Sequence, residues 1–275
     1  MQAKVRCASV RCVAGLLALV CASRLQAEPA TNLYDQTWHF LVKPYLWTPR
    51  IDGTLNFTTA SGSKPEVSIT PIDYLDNLNV PLMLTGEVRR GPWSILTDLV
   101  YVEFSGEKAK VETIQGPGGL VEIPIDLGTT VGLRGTVWTL GGEYTAFHGE
   151  YGAFGIVAGF RYFHVKTSLD WNLAGGLQLM PPTGSVSQSD DLWMGVLGVR
   201  GRVQFGDSHW FAPYYADVGS GECDLTWLAS GGLGYTFGWL DMLLIYRDLV
   251  FDDGDLGYIE QLHLTGPALG VGFRF

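Results

Sequence analysis

Trp193-Met194-Gly195-Val196-Leu197-Gly198-Val199-Arg200-Gly201-Arg202-Val203-Gln204-Phe205 is the stretch on which the reading of the fold turns. Its odd positions are Trp, Gly, Leu, Val, Gly, Val and Phe, whereas its even positions end in Arg200, Arg202 and Gln204. A period of two assigns a β-strand, because successive side chains leave opposite faces of the pleat. Here it separates an apolar, aromatic-ended face from a small and charged one. The same split recurs over 225–237 and 152–162, where Leu225, Trp227, Leu233, Tyr235 and Phe237, and then Phe154, Ile156, Phe160 and Tyr162, fall on one side.

In a water-soluble sandwich the charged face of such a strand meets solvent and the apolar face meets a core. Two features favour the inverted arrangement, with the apolar face toward lipid. The polar faces are rich in Gly and carry isolated charges of both signs, as a narrow lumen requires. Trp38, Trp47, Trp93, Trp193, Trp210 and Trp239 lie at or near strand ends, where the aromatic girdles of membrane barrels sit. Composition agrees: 47% hydrophobic residues and 36 glycines in 275 exclude a disordered chain, and a net charge of −10 argues against a nucleic-acid binder.

The first 27 residues read as a cleaved signal peptide. Lys4, Arg6 and Arg11 precede an apolar run over Val13–Ala22, and Leu25-Gln26-Ala27 ends in a small residue before the cut. The run is too short to cross a core of about 30 Å as a helix. Cys21 lacks the small preceding residue of a lipidation box. Cleavage removes Lys4, Arg6, Arg11 and Arg24, leaving 14 basic residues against 28 acidic ones, and it leaves Cys223 as the one cysteine. No internal disulfide is then expected.

Residues 28–275 are expected to form a single all-β domain, a transmembrane antiparallel up-and-down β-barrel. The pattern predicts strands over 38–47, 51–58, 65–70, 81–90, 93–104, 129–147, 151–165, 192–205, 209–218, 224–237, 239–250 and 261–275. That is about 12 strands, or ten if 65–70 and a neighbour are dropped. Tight turns at 90–92, 148–149, 206–208 and Gly238 alternate with long connections near 105–128, 166–190 and 251–260, the asymmetry of an outer-membrane barrel. A hairpin is expected within the first of these, around Gly116-Pro117-Gly118-Gly119. Thr70-Pro71-Ile72-Asp73 reads as a cap, a first-turn Pro and an acid, so a short helix is expected over 71–78. Leu269, Val271, Phe273 and Phe275 alternate with Gly270, Gly272 and Arg274, and an alternating strand with Phe273 and Phe275 at its end resembles the signal read by the barrel-assembly machinery.

With Arg161, Arg200 and Arg202 pointing inward, parity on the other strands selects Lys43, Glu87, Arg89, Asp98, Glu143, Asp217, Asp224, Asp241 and Arg247 as lumen companions. Charges of both signs in a confined space pair, since an unpaired one costs several kcal/mol. They support either a pore lining that selects solutes by charge or a salt-bridged filling that closes the barrel. Catalysis is not expected. Of the five histidines, His39, His148 and His209 fall toward the turn end, and His164 and His263 face lipid by parity. Only His263, near Asp252, Asp253 and Asp255, imitates a His–Asp constellation. The run 251–255 lacks the spaced ligands of a calcium loop, and no cofactor is expected.

Several segments resemble a group of uncharacterised proteobacterial outer-membrane β-barrel proteins. They are Pro44-Tyr45-Leu46-Trp47, Asp73-Tyr74-Leu75-Asp76-Asn77-Leu78, Arg90-Gly91-Pro92-Trp93 with Thr97-Asp98, Tyr215-Ala216-Asp217-Val218-Gly219, Tyr246-Arg247 and Gly266-Pro267-Ala268-Leu269-Gly270. The resemblance implies one integral barrel in the outer membrane and contributes no catalytic residue. The sequence-based expectation is therefore a monomeric porin-like channel or small-solute transporter, with a closed structural or surface-interaction barrel as the alternative and an outer-membrane hydrolase as a minor one. Its surroundings would be outer-membrane lipid and lipopolysaccharide, with the assembly machinery as a transient partner.

Overall fold

The computed structural model describes residues 33–55, 66–71, 81–106, 114–115, 122–123, 129–172, 183–252 and 259–275. The expected export signal, the 71–78 helix beyond Pro71, and Asp253 and Asp255 lie outside them. The strands are β1 (Trp38–Trp47), β2 (Arg50–Leu55), β3 (Glu66–Ile69), β4 (Leu82–Arg90), β5 (Trp93–Gly106), β6 (Ile114–Gln115), β7 (Glu122–Ile123), β8 (Thr129–Gly149), β9 (Gly152–Asn172), β10 (Thr183–Gln204), β11 (Trp210–Gly221), β12 (Leu225–Phe237), β13 (Leu240–Asp252) and β14 (Ile259–Arg274).

All main-sheet pairings are antiparallel, and the order β1-β4-β5-β8-β9-β10-β11-β12-β13-β14 returns to β1, closing a barrel of ten strands. The closed wall therefore has the lower of the two strand numbers the pattern allows. The reason lies at Thr48-Pro49. β14 pairs with β1 through Trp47↔Ala268 and continues in the same register with β2 through Arg50↔Thr265. Residues 38–55 are thus one wall strand interrupted at Pro49, whose ring removes an amide donor from the ladder. The segment read as a strand over 65–70 is β3, which among the described residues pairs only with β2 and adds one strand outside the ring. The expected hairpin around 116–119 is represented by the β6–β7 pair, a separate two-stranded sheet.

β9 and β10 are much longer than their alternating patterns. They remain paired from Gly152↔Val203 to Asn172↔Thr183, so the connection expected over 166–190 is mostly ladder. Residues Lys166–Ser168 and Ser187–Ser189 carry no apolar face. In sequence these polar triplets interrupt the apolar alternation, which resumes at Leu169 and Trp171.

Outward side chains form an apolar belt. Leu197, Ile95, Leu233, Leu244 and Leu269 are exposed, and Trp38, Trp93, Trp210, Trp239 and Phe275 ring the turn end. On β10 the belt runs from Trp193 to Phe205. At about 3.3 Å per residue and a tilt near 40° that is ~30 Å, the thickness of a bilayer core. Registered aromatics border the belt at the loop end: Trp138 pairs with Tyr162 and Tyr162 with Trp193, and the Tyr162 and Trp193 ring centroids are 4.7 Å apart.

Candidate functional site: the barrel interior

Two chemically different halves share the interior. Toward the loop end, Trp47, Met83, Val100, Val137, Phe163, Met194, Leu228, Leu249 and Phe251 form one buried apolar cluster. Phe163 stacks on Phe251 with centroids 4.5 Å apart. The buried Cys223 belongs to this cluster, its thiol against the Met194 sulfur. Toward the turn end the inward residues are charged.

Arginines join the charged half across the ring. Arg89 on β4 donates from Nε to Glu87 Oε1 at 2.8 Å, and from Nη2 to Glu143 Oε1 on β8 at 2.9 Å. Its Nη1 donates to the Thr145 hydroxyl at 2.5 Å. Arg200 on β10 donates from Nη1 to Glu143 Oε2 at 2.9 Å, and its Nη2 is ion-paired with Glu87 on β4. β10 and β4 stand four places apart in the ring of ten, so this pair spans the lumen. Arg247 on β13 pairs with Asp98 on β5 at 2.7 Å, also four places away, and donates to the Tyr45 hydroxyl at 2.9 Å. Its guanidinium lies 4.8 Å from the Trp47 ring centroid, where the two interior halves meet. Arg161 on β9 is fully buried and reaches past β10 to Asp217 on β11 at 2.5 Å and to the Thr226 hydroxyl on β12 at 3.1 Å.

Glycine makes room for these groups. A Cβ on Gly155 would lie 2.5 Å from Glu143 Oε1, and one on Gly198 would lie 2.7 Å from the Asp217 Cβ. Gly234 leaves space for the Phe211 ring, against which the Arg202 guanidinium packs at 4.2 Å.

At the turn-side mouth the segment before β1 folds over the charged cluster. Tyr34 stacks on His148 with centroids 4.5 Å apart, and the Arg89 guanidinium lies 5.0 Å from the Tyr34 ring. Burial pushes the Tyr34 hydroxyl above its ordinary pKa. The Gly91 amide donates to the Asp35 carbonyl at 2.7 Å. Gly91 has φ of +57°, and a side chain there would also meet Gln36. Hydrogen bonds from the hydroxyl and amide of Thr37, joined by the His39 ring, lower the Asp35 carboxyl to about 2.

Of the residues selected by parity, Glu87, Arg89, Glu143 and Arg200 form one cluster, Arg161 and Asp217 a second, and Asp98 and Arg247 a third. Asp241 pairs with Arg274 and accepts from the Thr236 hydroxyl at 2.8 Å. Lys43 and Arg202 are half-buried and have no carboxylate within ion-pair distance among the described residues. Asp224 stands apart, exposed in the connection before β12, where it faces no lumen partner. Ser94, Thr145, Thr226, Tyr45 and Arg274 join the clusters without having been selected. All but Arg274 share the strand parity of a selected neighbour and could have been found by it; no lumen residue was selected on the strand that carries Arg274. Tyr34 lies outside any strand and carried no signal.

Among the described residues the carboxylate beside His263 is Asp248; Asp253 and Asp255 lie outside them. The His263 Nε2 lies 2.5 Å from Asp248 Oδ1 on the outward face of the wall. His164 makes a similar outward pair with Asp191 at 2.8 Å. Phe275 is exposed at the turn end and exchanges backbone hydrogen bonds with Phe40 at 3.0 and 3.2 Å, while Phe273 stacks on Trp239.

No protein-family model matches the sequence, and no curated protein matches it. Among solved structures, the outer membrane protease OmpT from Escherichia coli aligns with 91% of this chain and 100% of its own, at 8% identity and a TM-score of 0.48. Ail, the attachment invasion locus protein of Yersinia pestis, solved with the heparin analogue sucrose octasulfate, aligns with 86% and 98%, at 11% identity and 0.36. The toluene transporter TodX of Pseudomonas putida aligns with 90% and 92%, at 12% identity and 0.37. None of them lends this chain a residue role or an activity.

Proposed function

We propose that this chain is an integral outer-membrane β-barrel with a closed interior, a structural or surface-interaction barrel that works through its loop end. The observation that carries this reading is the Arg247–Asp98 bridge across the lumen, roofed by the buried apolar cluster around Trp47, Phe163 and Phe251. A diffusion pore needs a continuous water-lined path, and porin interiors are polar for that reason. Ten strands also lie near the size at which side chains fill a barrel, well below the sixteen that leave a channel. The exposed belt of about bilayer thickness supports the membrane setting. In that setting the loop end faces outward, and the alternating strand ending in Phe273 and Phe275 would serve the assembly machinery.

A porin-like reading has one observation in its favour: Lys43, Arg200, Arg202 and Arg274 are half-buried, so the turn-side interior is in contact with water. Single-channel recording separates the two readings. Protein extracted from the membranes of an expressing Gram-negative host and verified by its heat-modifiable gel shift is inserted into planar bilayers, beside an Arg247→Ala variant. The closed reading expects no steady conductance in the wild type. Discrete, solute-permeable steps in the wild type would overturn it in favour of the channel.

A further inference from the structure

At the loop end β10 reaches farther from the apolar belt than β11, its neighbour on one side. Against β9 it stays in register out to Asn172↔Thr183, whereas its pairing with β11 stops at Met194↔Gly221. β9 is covered on its other side by β8, out to Thr129↔Trp171. Among the described residues, the stretch from Thr183 to Trp193 therefore has a strand on one side only. Which of its backbone groups face the open side follows from the period of two. An added Cβ on Gly219 or Gly221 would meet the carbonyl of Gly195 or Trp193, so the odd residues of β10 point toward β11. An added Cβ on Gly152 would meet the Arg202 carbonyl, so the even residues point toward β9. The β9–β10 register runs without a shift, so Ser185, Ser187, Ser189 and Asp191 turn their amides and carbonyls to the open side.

Carboxylates stand in for a partner strand at the foot of this edge. The Glu222 amide donates to the Trp193 carbonyl at 3.0 Å, and the Trp193 amide donates to Glu222 Oε2 at 2.6 Å. One step farther out, the Asp191 amide donates to Asp190 Oδ1 at 3.0 Å. Ser187 and Ser189 are exposed, and among the described residues nothing replaces the missing strand beside them. Sheet proteins blunt such an edge with Lys, Pro or a bulge. Between 183 and 192 this edge has neither Lys nor Pro, and its ladder has no bulge. The charge at its foot selects the occupant. Asp190, Asp191 and Glu222 stand there, with the exposed Asp224 in the same connection as Glu222. Asp191 also meets His164, and Lys166, registered with Ser189, stands one strand behind. A second copy of this chain, at a net charge of −10, is opposed by like charge, whereas a strand bearing Lys or Arg is favoured.

We infer that the open edge of β10 docks an extended, basic peptide segment of a partner protein, added as a further strand beside Ser185–Ser189 with its cations toward Asp190, Asp191 and Glu222. Main-chain hydrogen bonds supply the pairing, and the acidic foot supplies the preference. The inference rests on the reading of a surface-interaction barrel that works through its loop end, and it names the partner that end takes.

The probe is a fluorescein-labelled, end-blocked peptide of Thr-Lys repeats, titrated with the folded barrel in zwitterionic detergent and followed by anisotropy. A saturable rise is expected, together with slower exchange of the Ser187 and Ser189 amides. Ser187→Pro/Ser189→Pro removes two donors that the ladder to β9 does not use, and should weaken binding by about tenfold or more. A peptide of Thr-Glu repeats should bind about tenfold or more weakly than the Thr-Lys peptide. The heat-modifiable shift shows whether the proline variant is folded, and amide exchange in the wild type tests the same edge without it. Absence of saturable binding by the folded wild type would overturn the inference, as would binding that leaves exchange at Ser187 and Ser189 unchanged. Undiminished binding by the folded proline variant, or equal binding of the Thr-Glu peptide, would overturn it too. Self-association of the peptide-free barrel that the same prolines abolish would overturn it in favour of a second copy. Steady conductance of the wild type with peptide binding intact would instead remove the closed-barrel reading alone.

Discussion

Arg161 Nη2 and Asp217 Oδ2 lie 2.5 Å apart with neither side chain exposed, joining β9 to β11 beneath the intervening β10. Gly198 on β10 is the cross-strand partner of Asp217, and its missing Cβ leaves the space in which this pair meets. Arg161→Met would leave Asp217 as a buried charge without its counter-ion, and a loss of about 3–5 kcal/mol is expected. Arg161→Met/Asp217→Leu removes both charges and should recover most of that loss. Urea unfolding of the barrel in lipid vesicles measures both.

The membrane setting has its own test on the opposite face. Leu197 is 60% exposed in the middle of the apolar belt. In lipid, Leu197→Arg should destabilise the barrel by roughly 2–4 kcal/mol, whereas on a water-facing wall the same change would be nearly neutral. Vesicle unfolding titrations decide between these outcomes.

Gly155 tests how tightly the charged cluster is seated. Gly155→Val would drive a side chain into the Glu143 carboxylate and displace the acceptor shared by Arg89 and Arg200. Overpacking of this kind costs about 1–3 kcal/mol. A lower yield of heat-modifiable barrel and an earlier urea midpoint are the expected readouts, with Gly142→Val, where nothing lies within 4 Å of an added Cβ, as the control for loss of glycine.

The segment before β1 should respond to acid. Because the folded state holds the Asp35 carboxyl at about 2, below its ordinary value of 3.8, its contribution is present above pH 3.8 and is lost as pH falls toward 2. Exchange of the Gly91 amide, bonded to the Asp35 carbonyl, should therefore accelerate between pH 4 and 2 relative to amides within β5. Asp35→Asn should abolish that excess. An unchanged profile in the variant would show that Thr37 and His39 do not fasten the segment through this carboxylate.

Much of the wall was legible because a barrel with an apolar outer face and a packed interior imposes a strict period of two. Trp193–Phe205 places its odd residues outside as read, with Trp193, Leu197, Val203 and Phe205 exposed. Legibility ended where the apolar belt ended. Beyond Val165 on β9 and before Leu192 on β10 the ladder continues through the polar triplets Lys166–Ser168 and Ser187–Ser189, which interrupt the apolar alternation. Strand number was blurred by Pro49, which looks like a turn and acts as a break within one strand. Parity also selected the charged interior residues, but it cannot say which charge meets which. That Arg200 reaches Glu87 and Arg247 reaches Asp98 depends on the circumference of a ten-strand ring, which no local pattern records.

The unbroken register of residues 261–274 against both β2 and β1 has a consequence for how the wall is made. Every other seam joins segments far nearer in the chain, the widest gaps lying between β1 and β4 and between β5 and β8, so those pairings can form as their residues become available. This one joins segments separated by more than two hundred positions, and pairings so remote are slow to find. Until β14 arrives, the residues around Trp47 have an open flank, and the apolar roof they help to build lacks Ala268. Sealing the cylinder and completing its lid are thus a single late event, governed by one strand.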